Sequence, residues 1–177
     1  MVKTKDAILY LLFAGGMQPV SGRTRLQKML FLLDNECGLD ARSSAKFNFE
    51  PWKYGPFSAE VFRDMEFLEN AGLVETNRIG PAAEPEWSEV EELSQDYADD
   101  GGEYASEQLF VQEEFFLTDK GVQFVRDRIE SRLPTKLKQA IADVKKRYNG
   151  MSLASLLRYV YAKYPQYAAK SELRHLY

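Results

Sequence analysis

The stretch from Arg23 to Leu73 constrains this chain more than any other. Leu26, Met29, Leu30 and Leu33 recur at helical spacing, so a helix with one apolar stripe is expected from about Thr24 to Glu36, stopped by Gly38. Arg23, Arg25 and Lys28 fall near its start, on other faces. An aromatic run follows, with Phe47 and Phe49, then Trp52 and Tyr54, and Pro51 between them. Proline cannot donate to a strand ladder, so this run predicts an edge strand or a bulge. Gly55-Pro56 turns the chain, and Ser58 is placed to cap a helix running to Ala71. Val61, Met65 and Leu68 share one face of that helix, with Phe62 beside them, and Gly72 closes it.

The flanks extend the pattern. Asp6–Phe13 reads as a helix, and Pro19, Ser21 and Gly22 as a turn. Leu73–Ile79 and Val111–Leu117 read as two strands of a hairpin, and Thr118 as the N-cap of a helix Asp119–Arg132. Two more helices, Lys136–Tyr148 and Ser152–Tyr164, are separated by Asn149-Gly150, with Pro134 and Pro165 as outer breaks. Helix, aromatic strand, turn, helix and hairpin are the outline of a winged helix. The expected class is mainly α (α+β): a winged-helix-like domain over 1–133, with a small hairpin wing and an acidic wing insertion over 80–110. A C-terminal helical extension, 134–177, is expected to pack on it.

Charge is unevenly distributed. The net charge is −4, from 23 Lys and Arg against 27 Asp and Glu, yet ten of the carboxylates lie between Gly80 and Phe110, where there is no Lys or Arg. Setting those ten aside leaves 17 carboxylates against 23 cations, so the rest of the chain is +6. The bulk charge therefore says little about partners. Trp87, Val90, Leu93 and Tyr97 fall close to helical spacing, so part of the insertion could dock as an amphipathic helix; a solvated acidic loop is the plainer alternative.

Catalytic chemistry finds few materials. His175 is the only histidine and is third from the end of the sequence, so any triad would depend on one badly placed base. Cys37 is the only cysteine, which excludes an intrachain disulfide and a multi-cysteine zinc site. No phosphate-cradling glycine motif occurs. The expectation is a non-enzyme with no catalytic residues, no cofactor and no metal. The lone cysteine fits a reducing compartment, and the apolar run Ala7–Ala14 is too short to span a bilayer. A soluble, cytoplasmic protein without membrane contact is expected.

Two partner classes then compete. A DNA-reading winged helix usually presents the helix before its wing to the major groove. Here that helix carries Glu60, Asp64, Glu66 and Glu69 against Arg63 alone, the wrong sign for facing phosphates. If nucleic acid is bound, the surface would be a patch of Arg23, Arg25, Lys28, Lys136, Lys138, Lys145, Lys146 and Arg147. Those cations also read as ordinary solvated helix faces. A protein partner would use the Tyr54-Gly55-Pro56 region with Trp52 and Phe57, the insertion with Trp87 and Tyr97, or the last helix. There Tyr159, Tyr161, Tyr164 and Tyr167 cannot share one face, so some are expected at an interface, a homodimer among the options.

Arg25-Leu26-Gln27-Lys28-Met29-Leu30-Phe31, then Tyr54-Gly55-Pro56-Phe57, then Ala71-Gly72-Leu73 resemble the Panacea domain family, which includes SocA-like antitoxins. The closing Leu156-Leu157-Arg158-Tyr159-Val160-Tyr161 with Tyr164-Pro165 is similar to YwgA-like members of it. The resemblance covers about half of the chain. It implies a helical, winged-helix-like module acting through protein contacts in a toxin–antitoxin or phage-defence setting, with a DNA-binding regulator as the alternative. The acidic insertion and the extra C-terminal helices depart from a compact member of that family.

Overall fold

The computed structural model describes residues 2–37, 47–79 and 112–171, and within them the chain is a mainly helical α+β protein. In chain order come α1 (Thr4–Phe13), β1 (Val20–Ser21), α2 (Arg23–Glu36), β2 (Glu50–Trp52), β3 (Gly55–Phe57) and α3 (Ala59–Asn70). Strands β4 (Val74–Ile79) and β5 (Gln112–Leu117) follow, then α4 (Asp119–Phe124), a π-helical turn (Val125–Ile129), α5 (Thr135–Tyr148), α6 (Leu153–Lys163) and α7 (Pro165–Ala168). Among the described residues no helix is long and apolar enough to cross a membrane.

Capping chemistry sets the helix starts where the sequence placed them. The Ser58 and Thr118 hydroxyls accept from the amides of Val61 and Gly121, satisfying donors that a helix start leaves unpaired. The expected hairpin is present: β4 and β5 pair antiparallel from Val74 opposite Leu117 to Ile79 opposite Gln112. Val20–Ser21, expected as a turn, adds a third strand on the other side of β5, giving the order β1-β5-β4. Two residues are too few to show an alternation, so only the folded β5 could recruit them. The aromatic run is a second, separate hairpin: β2 pairs β3 with Pro51 opposite Pro56.

Helix α2 lies at the centre of the molecule. Its sequence predicts one apolar stripe, but every residue from Leu26 to Leu33 is buried, so neighbours surround it on all faces. Helices α5 and α6 of the C-terminal part both pack on α2, and their Ile141, Val144, Leu156 and Val160 belong to the same hydrophobic core as Leu30 and Phe31. Lys28, expected on an outward face, is 3% exposed. The reason is tertiary: the β2–β3 hairpin covers the face that periodicity would assign to water.

A tight joint links α3, β4 and α4. The carbonyls of Ala71 and Gly72, just after α3, accept from the Lys120 ammonium (2.7 Å) and the Thr118 hydroxyl (2.8 Å). Gly121 sits so close to the chain at Leu73 that an added Cβ would run into the Leu73 carbonyl oxygen. Backbone cannot yield there as a flexible side chain would. Gly121→Ala should lower the unfolding free energy by about 3 kcal/mol, read as a fall in the urea midpoint with an unchanged slope; a loss below about 1 kcal/mol would mean the joint is loose.

Candidate functional site

An aromatic ridge crosses one face. It begins at Trp52 on β2, 44% exposed, continues to Phe57 on β3 with ring centroids 6.1 Å apart, and then to Phe62 on α3, 6.2 Å further. The Arg23 guanidinium stacks over Phe62 at 4.5 Å and forms a two-pronged ion pair with the Glu113 carboxylate on β5. Beyond Phe62 the ridge opens into a groove of 490 Å³ between α2, α3 and β5. Leu26, Val61, Met65 and Phe115 give it apolar surface, and Arg23, Gln27, Glu66 and Glu69 supply its polar groups. Phe62, Glu66 and Glu69 are spaced four and three apart, so they form one stripe along α3. Such a surface can seat apolar side chains beside carboxylates, as partner-binding patches do.

Buried polar contacts hold the ridge. The Gln27 amide grips Ser58 at both backbone groups, accepting from its N–H (3.0 Å) and donating to its carbonyl (2.9 Å). The Lys28 ammonium donates to the Pro56 carbonyl at 2.9 Å. Gly55, at φ 85°, lets the hairpin turn lie on Tyr161, whose ring would stand 2.7 Å from a Cβ placed there. Burial pulls the Lys28 amine down to about 7. The same effect brings Lys145 to about 8.

The residues expected at partner surfaces divide sharply. Trp52 is exposed and Phe57 half-buried, both on the ridge, with Tyr54 half-buried in the turn. Pro56 and Tyr161 are buried, a correction to their reading as contact residues: Pro56 serves Lys28, and the Tyr161 hydroxyl pairs with the Ser171 hydroxyl at 2.8 Å. Tyr164, also half-buried, turns inward, because Pro165 starts α7 and folds the chain back so that Tyr164 and Tyr167 pack edge-on against Phe31 at 4.9 and 4.7 Å. Trp87, Tyr97 and the rest of the acidic segment lie outside the described residues, as does His175.

The eight cations considered for nucleic acid do not form one outward patch. Lys28 and Lys145 are buried, and the Lys145 ammonium donates to the Leu12 carbonyl at the end of α1 (2.9 Å). Arg25 donates to the carbonyls of Ser21, Tyr148 and Met151, and Lys138 to that of Glu130. Arg23 is paired with Glu113, which leaves Lys136, Lys146 and Arg147 on the surface, the last stacked over Tyr148 and Tyr159 at 5.3 and 5.4 Å. Helix α3 is less acidic outside than its sequence implies. Asp64 is buried, accepting from Thr4 and Lys5 of α1, so Glu60, Glu66 and Glu69 remain against Arg63.

Phe62, Glu66 and Glu69 were not among the expected contact residues, although their spacing on one helix face was a signal for them. Among the described residues no group of three His, Cys, Asp or Glu could hold a metal ion. No protein-family model matches the chain, and no curated protein matches it.

Lys28 gives this buried support of the ridge a pH dependence of definite sign. Its folded value is about 7 against an ordinary 10.5, so between the two the unfolded chain holds the extra proton. Stability should therefore rise with pH across that window and level off below it. Urea unfolding at about pH 7 and about pH 9 should show the gain, and Lys28→Met should flatten it by about 1 kcal/mol per pH unit. An identical slope in the variant would show that the amine is not held uncharged by the fold.

Proposed function

We propose that this chain is a non-enzymatic, winged-helix-like interaction module that regulates a protein partner bound on the ridge and groove. The observation that carries this reading is the continuous run Trp52–Phe57–Phe62 leading into the groove. A part-exposed aromatic ridge beside a cleft with an apolar floor is costly to leave bare and resembles the composition of interface cores. With the small β2–β3 hairpin between α2 and α3 set aside, the order helix, strand, helix, helix, strand, strand, with β1 beside β5, supports the winged-helix part of the proposal. The resemblance of Arg25–Phe31 and Tyr54–Phe57 to the Panacea domain supports a role in toxin–antitoxin or phage-defence regulation. It adds no chemistry beyond what those residues do in the fold.

DNA binding fits the geometry less well. The helix before the hairpin carries Glu60, Glu66 and Glu69 outside against Arg63, and the cations Lys28, Lys145, Arg25 and Lys138 face carbonyls within the protein.

The test is affinity capture from native-host extract with the tagged full chain, beside a Trp52→Ser/Phe62→Ser variant of unchanged circular dichroism. The wild type should retain a stoichiometric protein partner, and the variant should weaken it by about 30-fold or more, as loss of an aromatic hot spot does. Both proteins should ignore random duplex DNA. Salt-sensitive duplex binding that the variant keeps would replace this proposal with the nucleic-acid reading.

A further inference from the structure

We propose that the groove takes a cationic amphipathic segment of a partner protein. An apolar side chain of that segment would sit against Phe62, over the buried floor of Leu26, Met65 and Phe115, and a Lys or Arg about one helical turn along it would meet Glu66 and Glu69. The inference rests on the reading that this face binds protein, and adds the chemistry of what is bound.

Charge complementarity selects this occupant. Arg23, the cation in the groove wall, is already neutralised by Glu113, and Arg78 lies 3.5 Å from that same carboxylate. Glu69 accepts from the neutral Thr76 hydroxyl, and among the described residues no cation lies within ion-pair reach of Glu66 or Glu69. Covering two carboxylates on one helix face with an apolar or anionic surface strips their water and returns nothing. A segment carrying its own cation satisfies them, so the same pair attracts one class of partner and rejects the others.

Size agrees. A groove of 490 Å³ holds one or two large side chains rather than a whole helix, which suits anchors projecting from a segment that lies along α3. The chain's own stretch from Gly80 to Phe110, with ten carboxylates and no Lys or Arg, has the wrong sign to fill it.

The experiment uses the full chain and two labelled peptides, each about 16 residues long so that helix can form. One carries Leu and Phe on one face and Lys on its flanks; its twin has Glu at every Lys. By fluorescence polarisation the Lys peptide should bind about tenfold tighter or better, and added salt should narrow the gap. Glu66→Lys/Glu69→Lys, both on the surface of α3, should reverse the preference, and Phe62→Ala should weaken both peptides. Equal binding of the two peptides, or a preference that the double charge reversal leaves alone, overturns the proposal. If neither peptide binds while the ridge variant still loses its captured partner, the cationic segment is wrong and the protein-binding reading stands. If capture is also indifferent to the ridge, both fall. Sedimentation showing a dimer that Phe62→Ala dissociates would make a second copy the occupant, and the proposal would fail.

Discussion

The aromatic ridge depends on the grip of α2 on the β2–β3 hairpin. Gln27 and Lys28 are adjacent on a helix buried on every side, and each meets a backbone group of the hairpin or of the α3 cap. An unpaired buried amide or ammonium costs about 1–3 kcal/mol or more, so the two side chains and the three backbone groups fix one another. Ser58 extends the arrangement, since its hydroxyl donates to Phe47 and accepts from Val61. The positions of Trp52, Phe57 and the start of α3 follow from this buried network. The ridge is therefore held from beneath, although two of its three rings stand on three-residue strands that would not hold together alone.

A second theme is the use of cations as internal caps. Lys145 closes the end of α1, Arg25 the end of α5 and Lys120 the end of α3, each donating to carbonyls that a helix terminus leaves without partners. The positive balance outside the acidic stretch is thus partly structural. It reflects helices that end inside a small fold, where a long side chain is the means of reaching the last carbonyls. Counting such residues as binding surface overstates the field that a polyanion would meet.

Much of the fold was legible because its signals are local. The Ser58 and Thr118 caps, the helix over Ala59–Asn70 and the pairing of the strands after it all follow from spacing and turn chemistry that a few residues carry. The candidate site was legible only in part. Trp52 and Phe57 were readable as an aromatic cluster next to a Gly-Pro turn. Phe62 was read only as a neighbour of the buried stripe, because nothing local says that α2 stands far enough away to leave a groove against it. Tyr161 and Tyr164 misled for the opposite reason: helical spacing through the end of α6 spreads them round the axis, and only the fold-back at Pro165 brings Tyr164 onto Phe31.

What the sequence by itself determined is the main helices and the β4–β5 hairpin, since helix periodicity, caps and proline breaks act within a few residues of one another. What only the tertiary structure decided is the environment of each face. A one-stripe helix became the central one because the hairpin, α5 and α6 cover its remaining sides, and that turned Lys28 from a surface cation into a buried amine. The physical reason is that burial is a property of what packs against a residue, and those neighbours come from positions as distant as Pro56 and Tyr161.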